Sequence, residues 1–441
     1  MHRYLREIRP TLSLAVPIII GQVSQMLMGV TDSIMIGHTG TVPLAASAFG
    51  GNVFNIFYVL GIGLMVPVAV LVARARGADD PAGCGEYLRH GVALALLFGV
   101  LEHVVIAAVG SQLHWFRQPP EVLAEVGPYY QWIGASITPV LLYLALRQYA
   151  EAMGRPWVPM LMLLGGVGLN VFLNWVFIYG RLGVPAYGLT GAGIATFIAR
   201  TVSTLVLFLW LRFDPGMRPV WPTRWLAPLS RERVREMLRL GLPSSGMLTF
   251  ESGAFTGAAV MMGWFGAVPL AAHQIALSCA ATTFMVVLGL SMAAGMRVSA
   301  ALGAGEHDRL RPIGFSALAM GAVCSAVFMT VFFVAGDTIA GWFVSDAAPV
   351  VRLAAQLLIV AALFQFFDGG QVIGAAILRG LSDVKVPTII TFTAYWIIAI
   401  PLGYLLGVRL GYTALGVWAA LALGLAFAAI FLGLRFARLT R

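Results

Sequence analysis

Four carboxylates stand inside runs of apolar residues: Asp32 in "LMGVTDSIMIG", Glu102 in "FGVLEHVVIA", Glu251 in "GMLTFESGAF" and Asp368 in "FQFFDGGQVI". An ionised group at the centre of a hydrocarbon layer costs at least about 2.5–3.5 kcal/mol, so such an acid lines a cavity, meets a cation or takes up a proton. Glu251 and Asp368 lie near the middle of their runs, whereas Asp32 lies toward one end, where a carboxylate can also reach water. Glu102 is adjacent to His103, and a local pairing of the two accounts for it without a functional role. Helical spacing gives each remaining acid its neighbours: Ser24 and Met28 for Asp32, Met247 and Phe255 for Glu251, Phe364 and Val372 for Asp368. Methionine and aromatic surfaces beside a carboxylate suit a bulky lipophilic cation, and they equally well pack one helix on another. Asn170 and Asn174, in "NVFLN", share a helical face. Their amides can offer oxygen to a hard cation, hydrogen-bond an acid, or join helices.

The elements that carry these residues are set by composition. Of 441 residues 59% are hydrophobic and 11% charged, with a mean hydropathy of +0.87; soluble domains hold about 25% charged residues. Twelve stretches are long enough to cross a bilayer as helices: 12–36, 49–73, 90–112, 128–150, 158–180, 188–211, 239–263, 271–296, 313–335, 351–378, 386–407 and 412–434. An all-α integral membrane protein follows, with little chain left for a soluble domain. No small-residue cleavage site follows the first stretch, which reads as a retained helix. Cys84, Cys279 and Cys324 show neither disulfide nor metal spacing. Prolines 17, 139, 159, 243, 387 and 401 fall in or at the ends of the stretches and permit bending there.

Charge assigns sides to the loops. With the N-terminus inside, the cytoplasmic segments hold 23 of the 28 basic residues, the opposite side holds Arg117, Arg181, Arg352 and Arg409, and Arg200 lies alone within the sixth helix. Both termini are thus expected in the cytoplasm. This sidedness explains the net charge of +9 without nucleic acid.

The sequence also repeats itself. Shifted by 226 positions, "GTVPLAASAF" falls on "GAVPLAAHQI", Gly63-Leu64 on Gly289-Leu290 and Gly77-Ala78 on Gly303-Ala304. The unit of repetition is six helices, giving two pseudo-symmetric six-helix bundles: an N-terminal lobe over 1–211, a cytoplasmic linker over 212–238 and a C-terminal lobe over 239–441. An even number of helices places both copies in the same orientation, an arrangement that transporters use to bind substrate near the midplane and expose it alternately to each side.

Three segments carry a family resemblance: "VTDSIMIGHTGTVPLAASAFG", "PLAAHQIAL" and "DGGQVIGAAILRGLSDVKVPTIITFTAYWIIAIPLGYLL". With them the chain resembles the multidrug and toxic compound extrusion (MATE) transporters, in particular their NorM-type bacterial branch. The resemblance implies a monomeric, multi-pass protein of the bacterial cytoplasmic membrane, without cofactor or enzymatic activity. It would export lipophilic cationic drugs in exchange for sodium ions or protons. It further implies that Glu251, Asp368, Asp32 and Gln274 couple to the cation, Glu251 and Asp368 being the residues to hold a sodium ion. Asn170 and Asn174 match polar residues of the N-lobe cation site, and Met28 and Phe364 stand beside the acids as substrate-facing candidates. An acid occupies the position of Asn174 in the family's other main branch, which shifts weight here toward Glu251 and Asp368. Two rivals are a flippase for lipid-linked oligosaccharides of the same superfamily, which would want a more cationic interior, and a membrane-embedded enzyme, for which no nucleophile, metal or phosphate motif is present.

Overall fold

A glycine with positive φ precedes the second helix of each repeat: Gly40 at 137° and Gly266 at 105°. The helices that follow, α2 (Thr41–Gly77) and α9 (Ala267–Gly303), are both 37 residues long and begin 226 positions apart. The computed structural model describes residues 2–343 and 348–441. Its other helices are α1 (His2–Gly37), α3 (Pro81–Gly110), α4 (Pro120–Ala135), α5 (Ile137–Ala152), α6 (Trp157–Tyr179), α7 (Gly188–Phe213), α8 (Arg231–Trp264), α10 (His307–Phe343), α11 (Ala348–Gly380), α12 (Lys385–Phe392), α13 (Ile400–Gly403) and α14 (Thr413–Leu439). No strand occurs among the described residues. Local chemistry fixes several ends. At α3, Pro81 occupies the first turn and the Asp80 carboxylate accepts a hydrogen bond from the Gly83 amide at 2.8 Å.

Ten helical segments are long and apolar enough to cross a membrane. The two remaining expected spans differ from a plain apolar helix. The stretch 128–150 is divided at Ser136, which separates α4 from α5. The seventh begins eight residues before 239, as part of α8, and Ser244, Ser245, Thr249, Ser252 and Thr256 around Glu251 dilute its apolar character. The segment Lys385–Arg409 is one continuous helical run containing two π-helical stretches, Thr393–Ala399 and Tyr404–Arg409. Pro401 lies between them; it has no amide proton to donate and its ring crowds the preceding turn, which favours such irregularity.

By its internal contacts the chain forms two compact units: Ile20–Ser245, here the N-unit, and Met1–Ile19 with Gly246–Arg441, here the C-unit. Helices α1 and α8 therefore each begin in one unit and continue in the other. Within the N-unit, a Cβ at Gly63 on α2 would lie 2.2 Å from the Ser245 Cα on α8. Within the C-unit, a Cβ at Gly289 on α9 would lie 2.9 Å from the Ile19 amide nitrogen on α1. Gly63 and Gly289 are repeat partners, as are Ile19 and Ser245, each pair 226 apart. The duplicated glycines are thus backbone-to-backbone crossings, built once for each exchanged helix end.

Ion pairs hold the same helix ends. In the N-unit Arg233 of α8 lies 3.0 Å from Glu86 of α3, and the Tyr87 hydroxyl donates to Glu236 at 2.7 Å. In the C-unit the buried Glu7 of α1 pairs with Arg297 of α9 and, at 3.1 Å, with Arg309 of α10. Positions 7 and 233 are again 226 apart, but their charges are opposite.

Adding one methyl group at a crossing has a definite expected effect. Gly63→Ala and Gly289→Ala each force two helices apart and should cost about 1–3 kcal/mol, seen as a lower apparent melting temperature in detergent. Gly29→Ala, where an added Cβ meets nothing within 4 Å, should leave that temperature unchanged or raise it.

Candidate functional site

In the N-unit, α6 presents Asn170 and Asn174, both fully buried, toward α1 and α7. The Asn174 Nδ2 donates to the Asp32 Oδ1 at 2.6 Å and to the Asn170 Oδ1 at 3.4 Å, and the Asn170 Nδ2 donates to the Thr196 hydroxyl at 3.5 Å. Asn174 thus donates to the acid and to Asn170, Asn170 donates onward to Thr196, and the Asn174 Oδ1 is buried with no protein partner. Asp32 is half-buried, as is Met28 one turn earlier. Nearby, the Arg200 guanidinium donates to the Ser136 Oγ at 2.6 Å and lies 5.3 Å from the centre of the Phe54 ring. Among the described residues no ion pair within 4 Å joins Arg200 to Asp32, although the two are electrostatic neighbours.

In the C-unit, α8 and α11 bring Glu251 and Asp368 into one charge neighbourhood. Asp368 is 4% exposed, and its Oδ1 has no hydrogen-bond partner. Glu251 is half-buried and hydrogen-bonded by the side chain of Gln371, whose own Oε1 is buried and unpartnered. Tyr395, on the first π-helical stretch, is fully buried beside both acids with its hydroxyl unpartnered, and the Thr391 hydroxyl one turn earlier is unpartnered too. Arg379, at the end of α11, is the cation that acts on Glu251 over a distance. Two acids with one remote arginine leave the set one positive charge short when both are ionised. A proton or a monovalent cation supplies it, and unpartnered amide and hydroxyl oxygens are suitable additional ligands for a hard cation. No cluster of three or more His, Cys, Asp or Glu side chains able to hold a metal occurs among the described residues.

Other residues singled out in the sequence take different places. Gln274 is exposed on α9 and is not among the polar partners of Glu251 or Asp368; Gln371, three residues after Asp368, supplies the amide. Phe364 is 2% exposed and packs edge-on against Trp418 at 5.4 Å and Phe255 at 5.9 Å, so it supports the acids from within the core. Trp418 is itself tied by its indole N–H to the Nδ1 of the buried His273 at 3.1 Å. The expected pairing of Glu102 with His103 is not formed: both Glu102 carboxylate oxygens and the His103 Nδ1 are buried without partners. Arg200 is not the only arginine inside a span. Arg147, within the fourth, is 3% exposed and makes a 2.7 Å ion pair with Glu151, 2% exposed, so it adds no net charge to the interior. The i, i+4 spacing in "RQYAE" carried that signal.

The sequence pattern of the MatE family matches residues 17–176 and 243–405. This chain belongs to the MatE family. It is 34% identical over 448 residues, spanning 99% of this chain and 95% of the relative, to a protein of Mesorhizobium japonicum named "Probable multidrug resistance protein NorM". A Pseudomonas putida protein of the same name is 34% identical over 428 residues, 96% of this chain and 93% of that one. The fold matches a crystal structure of MATE in the bent conformation with a TM-score of 0.91 at 23% identity, over 98% of this chain and 95% of that one. This MatE chain is a multi-pass membrane transporter of the NorM type, not an enzyme.

Tyr395 tests whether the unpartnered hydroxyl burdens the protein in itself. Tyr395→Phe removes a buried polar group that no protein atom satisfies, and should leave stability unchanged or raise it by up to about 1 kcal/mol. A fall in apparent melting temperature of several degrees would show that the hydroxyl is satisfied.

Proposed function

We propose that this chain expels lipophilic organic cations from the cytoplasm by alternating access, in exchange for a coupling cation, sodium or a proton, entering through the bacterial inner membrane. The observation that carries the reading is the Glu251–Asp368 set, one half-buried and one buried acid beside the unpartnered oxygens of Gln371 and Tyr395. The chemistry of that set favours a single positive charge, whether it arrives as an ion, a proton or a drug. Binding one therefore displaces the other. The names of the relatives, multidrug resistance protein NorM, support a drug as the outgoing cargo. The internal pairing of Arg147 with Glu151 leaves Arg200 as the only unneutralised arginine of the N-unit's apolar interior discussed above, which favours a cationic cargo over a phosphate-bearing lipid.

Coupling follows from differential affinity: a ligand shifts the balance between outward and inward states only by binding one of them better. An entering monovalent cation gains about 2.3 kcal/mol per 100 mV and a leaving monovalent drug loses the same, so a one-for-one exchange draws on the ion concentration gradient alone. The positive-inside distribution of arginines supports cytoplasmic termini.

Glu251→Gln and Asp368→Asn should each abolish export of a fluorescent cation from proteoliposomes while the protein remains folded in the membrane. Imposing sodium and pH gradients separately on the unmodified protein then identifies the coupling ion. Undiminished export by both variants would remove these acids from the mechanism.

A further inference from the structure

Arg200 is an intramembrane cation that the exchange scheme does not use. It stands midway along α7 and one acid, Asp32, lies within its electrostatic reach. Yet its hydrogen bond goes to a neutral oxygen, the Ser136 Oγ, at 2.6 Å, and its flat face is near the Phe54 ring. Ser136 is suited to receive it. Its hydroxyl proton is donated to the Ile133 carbonyl at 2.6 Å, which leaves the oxygen lone pairs for the guanidinium. Ser136 is also the residue at which the fourth span is divided, so Arg200 lies against the junction of α4 and α5. Asp32, for its part, is held by the neutral Asn174 amide. The arrangement keeps an acid and an arginine close but unjoined, each engaged by an uncharged partner.

In the C-unit the corresponding positions carry neither the arginine nor the break, and the arginine that acts on Glu251 there, Arg379, comes from the end of α11 instead. Helices α7 and α14 begin 225 positions apart, and the position matching Arg200 is Leu425, fully buried in the core. The match to Ser136 is Phe364, in the unbroken α11, by the interval of 228 that separates the ends of α5 and α11. The break and the arginine occur together in one unit and are absent together from the other.

We propose that Arg200 is a tethered competitor for Asp32, a built-in cation whose charge weakens the hold of the Asp32 site on external cations and whose resting place is Ser136. This rests on the reading of Asp32 as a cation-binding acid. Removing the charge strengthens cation binding at Asp32, and removing the resting place weakens it. A purely structural arginine, serving only to fasten α7 to Ser136, predicts neither pair of signs.

The test uses tetraphenylphosphonium binding to the full-length, detergent-solubilised protein, measured by isothermal titration calorimetry at low ionic strength. Arg200→Gln should bind about tenfold more tightly, within the usual range of site-to-site coupling, and Arg200→Lys should restore the ordinary affinity. Ser136→Ala, which frees Arg200 to turn to Asp32, should bind more weakly. In an Asp32→Asn background, itself weakened, Arg200→Gln should give no gain. Unchanged affinity of Arg200→Gln beside a weakened Asp32→Asn overturns the competitor role alone, as does a gain that survives in the Asp32→Asn background. Unchanged affinity of Asp32→Asn overturns the reading of Asp32 on which the proposal rests.

Discussion

A charge kept from water must be answered by another charge, a proton or a set of oriented dipoles, because the surrounding hydrocarbon offers nothing. The interior of this protein is organised by that demand. Arg147 and Glu151 answer each other directly. Asp32 has an amide donor and an arginine held at a remove. Glu251 and Asp368 have a single donated hydrogen bond, a distant arginine and several oxygens with nothing to bind. Among the three acids of the two candidate cation sites, Asp32, Glu251 and Asp368, the C-unit pair is the less fully answered by the protein.

Duplication produced the scaffold and divergence produced the chemistry. The 37-residue length of α2 and α9, the positive-φ glycines at 40 and 266 and the tight crossings at Gly63 and Gly289 survive in both copies. The charges do not. The position matching Glu251 is Gln25, that of Asp32 is Ala258, and that of Asp368, by the interval of the α5 and α11 ends, is Val140. Backbone geometry is constrained by packing everywhere along a helix, so it is retained. A polar group constrains only its own pocket and can be gained or lost in one copy alone.

Much of this was open to inspection in the chain itself, for physical reasons that also mark the limits. Hydropathy reveals spans because the bilayer imposes a length, and the repeat reveals pairs of equivalent residues. The acids were legible because they are costly where they stand. What was hidden depends on which face of a helix turns inward. Gln274 and Gln371 look alike as amides in apolar runs, yet only the second hydrogen-bonds Glu251. Phe364 reads as a lining aromatic until Trp418, more than fifty residues on, is seen against it. Tyr395 was invisible because its aim is set by π-helical turns, which lack a hydrophobic period of their own. The break at Ser136 was hidden for a similar reason, since the apolar run continues through it.

The opposite signs at Glu7 and Arg233 bear on how the polypeptide is assembled. The amino end of α1 is synthesised first, and its partner Arg297 follows 290 residues later. In the interval α2 and α3 complete a berth of the same design, the one that α8 eventually fills. Were α1 to settle there, Glu7 would face Glu86, the residue that Arg233 meets at 3.0 Å, and like charges at that separation repel. The exchange of sign gives each helix end its own electrostatic partner, so the two repeats, alike in backbone, are not interchangeable in charge.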